Sequence, residues 1–201
     1  MGVTPVRALS PRIVLYPAGS EHSQLEEGWI AFPHLEGGSA FGDGSHPTTR
    51  LCAGAVDLLC RQTKPQSFLD VGTGTGILAR IARARGAEQI VGTDIDPVAI
   101  QSAIDHVALD FHAVEIKISG APPDHLGPCF NLVVANILEG PLHELAPALF
   151  GALAPGGALL LSGFTRVQTP SLRAVFSNLG LAFVSESHLE EWALLMFQRP
   201  S

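Results

Sequence analysis

An α/β fold, with a seven-stranded, mostly parallel sheet and helices on both faces, is predicted by three features of the sequence. Strand-like apolar runs alternate with helical patterns from about Ser67 to Leu179, as parallel strands joined by crossover helices require. A glycine-dense turn, V-G-T-G-T-G from Val71 to Gly76, separates one such run from one such helix. Two further strand-like runs, Leu181 to Ser187 and Glu191 to Arg199, then follow each other with no helix between them. They form an antiparallel hairpin, so one strand must run against the parallel direction.

The elements follow in order. Arg12 to Tyr16 and Trp29 to Pro33 read as short strands joined by the polar segment Gly19 to Gly28. A second glycine-rich stretch, G-G-S-A-F-G-D-G-S-H-P-T-T-R (Gly37 to Arg50), leads into a helix. Ser45 or His46 can cap that helix, Pro47 suits its first turn, and Leu51, Ala55 and Leu58 give it an apolar stripe. The run Phe68, Leu69, Val71, the helical positions Ile77, Leu78, Ile81, Ala82 and the run ending at Asp94 form a β-α-β unit. A helix from Pro97 to about Phe111, a strand from Val114 to Ser119 and a loop from Gly120 to Pro128 come next. The strand F-N-L-V-V-A-N-I-L ends at Asn136, a helix spans Leu142 to Leu153, and P-G-G (Pro155 to Gly157) turns the chain into Ala158 to Ser162. A helix from Ser171 to Leu179 precedes the hairpin. Residues 1–45, strands and a lid loop, and residues 46–201, the ligand-binding part, are expected to make one compact domain.

Composition narrows the function. Hydrophobic content of 46% with 15% charged residues excludes disorder, and no apolar run approaches the ~18 residues of a membrane span. With no apolar core of the signal-peptide kind near the start, a cytoplasmic monomer or weak dimer is expected. The three cysteines lack paired metal spacing and read as buried thiols; the eight histidines are scattered, so no metal is expected. The net charge is −7, and Lys64 and Lys117 are the only lysines. Arg80, Arg83 and Arg85 are expected on one solvated helix, so no direct DNA binding is anticipated.

The chemistry concentrates at the glycine turn. Gly72, Gly74 and Gly76 stand where a strand must turn sharply into a helix while a ligand approaches the main chain. Asp94, at the carboxyl end of the next strand, is placed to accept hydrogen bonds from a ribose diol. A nucleoside-containing ligand follows. Gly74-x-Gly76-x-x-Ala79 satisfies a variant of the dinucleotide fingerprint, whereas D-x-G-x-G-x-G from Asp70 fits the S-adenosylmethionine (SAM) loop better. A nicotinamide-dependent oxidoreductase is therefore one alternative, although no Y-x-x-x-K pair accompanies the single tyrosine, Tyr16. A non-catalytic SAM-binding module is another. Phe41 in its glycine-rich loop can fold over a bound adenosine, with the hydroxyls of Thr48 and Thr49 toward the ligand; a connector whose threonines merely cap is the bland alternative. The loop is expected to be mobile without the ligand and ordered with it. Ile95 beside Asp94 joins the cofactor set, and Asn136, Ile137 and Leu138 form the candidate catalytic segment: an amide at a strand end with apolar neighbours.

With these residues located, the chain resembles the class I SAM-dependent methyltransferases, and more narrowly the PrmA family, which methylates amines of a large-subunit ribosomal protein. The matching motifs are A-F-G-D-G-S-H-P-T-T-R-L-C (Ala40 to Cys52), L-D-V-G-T-G-T-G-I-L-A (Leu69 to Ala79), V-G-T-D-I-D-P-V-A-I (Val91 to Ile100) and V-V-A-N-I-L-E-G-P-L-H-E-L-A-P (Val133 to Pro147). P-G-G-A-L-L-L-S-G and the E-W pair at Trp192 add to them. The resemblance implies a Rossmann-like sheet, SAM as donor with S-adenosylhomocysteine as product, a protein substrate such as a ribosomal protein, and cofactor contacts at Thr49, Gly72, Asp94 and Asn136. Two loop positions, Asp43 and Ser45, depart from the family's usual threonine. The family's additional N-terminal docking domain has no counterpart in the roughly forty residues before the F-G-D-G loop.

Overall fold

The structure is a computed structural model that describes residues 7–20, 27–37, 40–110, 116–126 and 130–201. Most of the expected connector between Gly19 and Gly28, loop residues Gly38 and Ser39, and Phe111, Val114, Glu115 and Cys129 lie outside the described residues.

A small sheet opens the chain: β1 (Arg7–Ser10) pairs antiparallel with β2 (Ile13–Pro17), which pairs parallel with β3 (Ile30–His34). The first of these strands is not legible in the sequence, because R-A-L-S holds a single inward apolar residue, Leu9. Helix α1 (Pro47–Thr63) follows, capped by His46, whose Nδ1 accepts the Thr48 N–H. Its sheet-facing residues are Cys52, Ala53, Val56, Leu59 and Cys60, while Leu58 is 45% exposed and Leu51 and Ala55 only half-buried. The expected stripe is thus rotated by one position. Two cysteines at helical spacing fill the close approach where leucines were sought, and both are free and buried.

The main sheet is built from β4 (Ser67–Val71), β5 (Gln89–Thr93), β6 (Ile116–Ser119), β7 (Phe130–Asn136), β8 (Leu153–Thr165), β9 (Ala182–Leu189) and β10 (Trp192–Gln198). Their order is β6-β5-β4-β7-β8-β10-β9, all parallel except β10, which runs antiparallel to both its neighbours. The sheet and its closing hairpin are as the sequence predicts. Helices α2 (Ile77–Ala84), α3 (Pro97–Ala108), α4 (Glu139–Ala152) and α5 (Thr169–Asn178) make the crossovers and the final connection. One core joins α1, α2 and the small sheet to one face through Phe68, Ile81, Val134 and Phe32. The other packs α4 and α5 on the opposite face through Leu69, Leu142, Leu149 and Phe176. Every residue of β4 is buried, as expected of a strand covered on both faces. Among the described residues no helix is long and apolar enough to cross a membrane.

One expectation about surface charge is overturned. Arg80 is 1% exposed, not solvated. Its Nε and Nη2 grip the two oxygens of Asp110 at 2.6 and 2.9 Å, Nη2 also donates to the Pro33 carbonyl at 2.8 Å, and the guanidinium stacks 5.0 Å from the Phe32 ring centroid. The planar fork satisfies several acceptors at once, which allows burial between the small sheet and α3. Arg85 is also drawn inward, to the buried Asp57 at 2.5 Å.

A histidine pair forms a second tie between these parts. His34 and His106 lie with ring centroids 4.7 Å apart. His106 Nε2 accepts the Leu35 N–H at 3.2 Å and Nδ1 lies 2.8 Å from the Ser102 carbonyl, so the ring must be the neutral Nδ1–H tautomer. Burial, then the neighbouring His106, pushes the His34 pKa down to about 4; burial lowers that of His106 as well. A depressed histidine pKa gives stability that is complete above the unfolded value of about 6.5 and is lost as pH falls toward the folded value. Discounted by half for exposure, the stability lost through His34 at pH 5 is about 1 kcal/mol, equivalent to ~2–4 °C. The melting temperature is expected to drop from pH 7 to pH 5, and a His34→Asn, His106→Gln double variant to shrink that drop. An unchanged drop in the double variant removes the pair from the acid sensitivity.

Candidate active site

The strand order reverses at β4: the chain runs from it to β5 on one side and returns as β7 on the other. Ligands of open α/β sheets bind outside the carboxyl ends of the strands at such a switch point. Gly72 follows β4 and Asn136 ends β7, so the turn and the asparagine flank it. A Cβ on Gly72, whose φ is +73°, would overlap the Ile137 side chain. Ile137 is itself held down by a bulge: β10 pairs Ala193 with Phe164 and Leu194 with Ser162, skipping Gly163. Gly163, at φ +95°, lets the Ile137 backbone cross where a Cβ would overlap it. The sequence named Gly163 only as the end of a motif; its spatial task depends on a register shift no local pattern announces.

The glycine-rich loop is fastened over the turn. Thr75 donates its N–H to the Phe41 carbonyl and its hydroxyl to the Gly42 carbonyl, each at 2.9 Å. Asp43 accepts Ser45 N–H at 3.0 Å, the Ser45 hydroxyl at 2.6 Å and Arg7 Nη1 at 2.6 Å. These bonds tie Phe41 to Ser45 to the turn and to one another. The two departures from the family pattern, Asp43 and Ser45, bond to each other and bring β1 into the clamp.

Asp94 Oδ2 accepts the Gly74 N–H and Oδ1 the Asp96 N–H, both at 3.1 Å, which fixes the carboxylate at the carboxyl edge of the sheet. Ile95 beside it is 96% exposed and Leu138 is 70% exposed, two apolar side chains left facing solvent at the sheet's carboxyl edge. Thr48 does not offer a free hydroxyl: its Oγ1 lies 2.8 Å from His46 Nδ1. Thr49 Oγ1 and Asn136 Oδ1, by contrast, are buried without a hydrogen-bond partner among the described residues. Asp70 lies beneath the turn, fully buried, with Oδ2 accepting the Thr73 hydroxyl at 2.8 Å. Gly76 caps α2 at φ +74° with no side-chain bond.

The structure adds residues that the sequence reading had not placed in the site. His46 stands between Phe41 and Trp192, at ring-centroid distances of 5.1 and 4.4 Å. The aromatic character of Trp192 and the H-P pair before α1 were the available signals. Ser162, paired with Asn136, donates its hydroxyl to the Ala193 carbonyl at 2.7 Å and ties β10 to the site's base.

The sheet order, the glycine turn at the switch point and the strand-end carboxylate define a Rossmann-like domain of the methyltransferase type. An N-methyltransferase, NodS from Bradyrhizobium japonicum, solved with S-adenosylhomocysteine, shares this fold at a TM-score of 0.60 and 18% identity over 78% of this chain and 90% of that one. The chain belongs to the family described as ribosomal protein L11 methyltransferase (PrmA), whose profile matches residues 3–200. A relative from Citrifermentans bemidjiense named ribosomal protein L11 methyltransferase is 36% identical over 200 residues, 98% of this chain and 64% of its own length. One of the same name from Geobacter sulfurreducens is 42% identical over 164 residues, 82% of this chain and 53% of its own length. This chain therefore spans between about half and two thirds of those relatives. The crystal structure of a ribosomal protein L11 methylase from Lactobacillus delbrueckii subsp. bulgaricus superimposes at a TM-score of 0.86 with 28% identity, covering 98% of this chain and 99% of that one.

Proposed function

We propose that the chain is a SAM-dependent protein N-methyltransferase acting in the cytoplasm on an amine of a ribosomal protein. The observation that carries the reading is the pair of buried oxygens without a partner among the described residues, Thr49 Oγ1 and Asn136 Oδ1, in a family member whose glycine turn is bonded to Asp94. A buried polar atom without a partner costs about 1–3 kcal/mol, which a polar ligand recovers. The NodS structure, with the same fold, holds the spent form of this cofactor.

SAM supplies a methyl group on a cationic sulfur, ready for displacement by an amine lone pair. In this reading Asp94 receives the ribose hydroxyls, Ile95 lies under the adenine, Gly72 and Gly74 admit the amino-acid end, and Phe41 covers the cofactor. Residues 46–201 carry this machinery and residues 1–45 contribute the small sheet and part of the lid loop. Asn136 Oδ1 accepts an N–H of the incoming amine and aims its lone pair, with the Ile137 carbonyl and Leu138 walling the approach. The amine must arrive uncharged, since a lysine with pKa about 10.4 is mostly protonated at neutral pH.

Incubation with SAM and ribosomal protein L11, followed by mass spectrometry, is expected to show added methyl groups; an unmodified substrate would overturn the assignment of acceptor. Calorimetry tests the cofactor separately. Asp94→Ala removes both the ribose acceptor and the brace on the Gly74 N–H, so affinity should fall more than about tenfold, as expected for charge-assisted bonds worth ~1.5–3 kcal/mol each. Unaltered affinity in a folded variant would place the ribose elsewhere.

A further inference from the structure

We propose that Asp70 is the charge by which this site tells the methyl donor from the spent product. Below neutral pH its carboxyl, protonated before binding, gives up a proton when the cationic donor arrives and keeps it when the neutral product binds. The inference rests on the SAM reading above.

The geometry is a pair of carboxylates on adjacent strands bracketing one turn: Asp70 under it, bonded to Thr73, and Asp94 at its rim, bonded to Gly74. Asp70 is wholly buried, and its ionised form has only neutral donors around it, the Thr73 hydroxyl and the Ala79 N–H. From β5 it faces Asp94 and from α1 Cys52; α2 presents the Ala79 N–H, the turn presents the Thr73 hydroxyl, and Val134 lies opposite on β7. Among the described residues no cationic side chain pairs with it. A carboxylate in that setting is neutralised by a proton or waits for a positive charge from outside the chain. Burial, with Asp94 adding to it, raises the Asp70 pKa to about 7 against the opposing pull of Thr73 and the Ala79 N–H.

SAM carries a sulfonium, an ammonium and a carboxylate, a net charge of about +1; methyl transfer removes the sulfonium charge and leaves the product near zero. In a dry site such a charge is felt by Asp70 without direct contact. The donor favours the ionised carboxyl and so releases a proton at any pH below about 7, whereas the product leaves the carboxyl as it was. A site that binds the donor in this way lets go of the product as soon as the charge is spent.

Calorimetry at pH 6 in buffers of different ionisation heat reads the protons directly, below the range in which the cofactor's own amine titrates. SAM is expected to release close to one proton and S-adenosylhomocysteine less than half of that; the affinity for SAM should rise about twentyfold from pH 5.5 to pH 7.5, and that for the product little. Asp70→Asn should abolish the release and lower the preference for SAM over the product. Thr73→Val keeps the carboxyl but removes a hydrogen bond to its ionised form, so it should move the midpoint of the release to higher pH. The wild-type comparison and Thr73→Val decide the question even if Asp70→Asn does not fold. Equal release with both ligands, or undiminished release in folded Asp70→Asn, overturns the proposal. Failure of either ligand to bind the wild type overturns the SAM reading and the proposal with it.

Discussion

Single-turnover methyl transfer at saturating SAM is expected to slow about a hundredfold in Asn136→Ala, with cofactor affinity falling less than tenfold. The asymmetry follows from what the side chain does at each stage. One unpartnered oxygen contributes a single bond to ground-state binding, but alignment of the amine lone pair with the methyl carbon matters only as the bond forms. A loss of orientation is therefore a loss of rate. If Asn136 merely satisfies its neighbours at the end of β7, the variant will transfer methyl within twofold of wild type, and the acceptor side must be sought among His46, Trp192 and Leu138.

A comparable loss, in affinity rather than rate, is expected of Gly74→Ala. At φ +56° an alanine costs of the order of 1 kcal/mol, and its Cβ would overlap the Phe41 carbonyl that Thr75 holds. Either the loop lifts off or the turn shifts and releases the Gly74 N–H from Asp94. Binding of SAM should weaken by about thirtyfold or more, the equivalent of ~2 kcal/mol. Gly86→Ala is the control: its φ is +100°, but a Cβ there meets nothing within 4 Å, so it strains the backbone without touching the loop. Equal affinities for SAM in Gly74→Ala and Gly86→Ala would show that contact between loop and turn plays no part in binding.

The main sheet was legible because its signals are local. Glycine at a strand end, alternation of strand and helix, and a hairpin without a helix each occupy a few consecutive residues. The unread features depend on distant partners. Arg80 looks like a surface residue until Asp110 and the Pro33 carbonyl are brought to it from 30 and 47 residues away. The buried face of α1 was misjudged by one position because cysteines and threonines, small enough for close packing on the sheet, replace the leucines by which such faces are recognised. Gly72, Gly74, Asp94 and Asn136 do gather at one edge, but Asp70 proved to lie under that edge and Thr48 to be engaged with His46. Trp192 entered the neighbourhood only through the register of β10 on β8.

That register also bears on how the protein is made. Strand β10 lies between β8 and β9, so β9, although synthesised earlier, cannot join the sheet in its final place until β10 has paired with β8. During translation the five strands from β4 to β8 can assemble as they leave the ribosome, but Trp192 cannot reach His46 until residues through about Gln198 have emerged. Such late, sequence-distant pairing is slow and leaves an open strand edge on β8 in the meantime. A nascent chain of this protein therefore carries the glycine turn and Asp94 well before it carries a finished site.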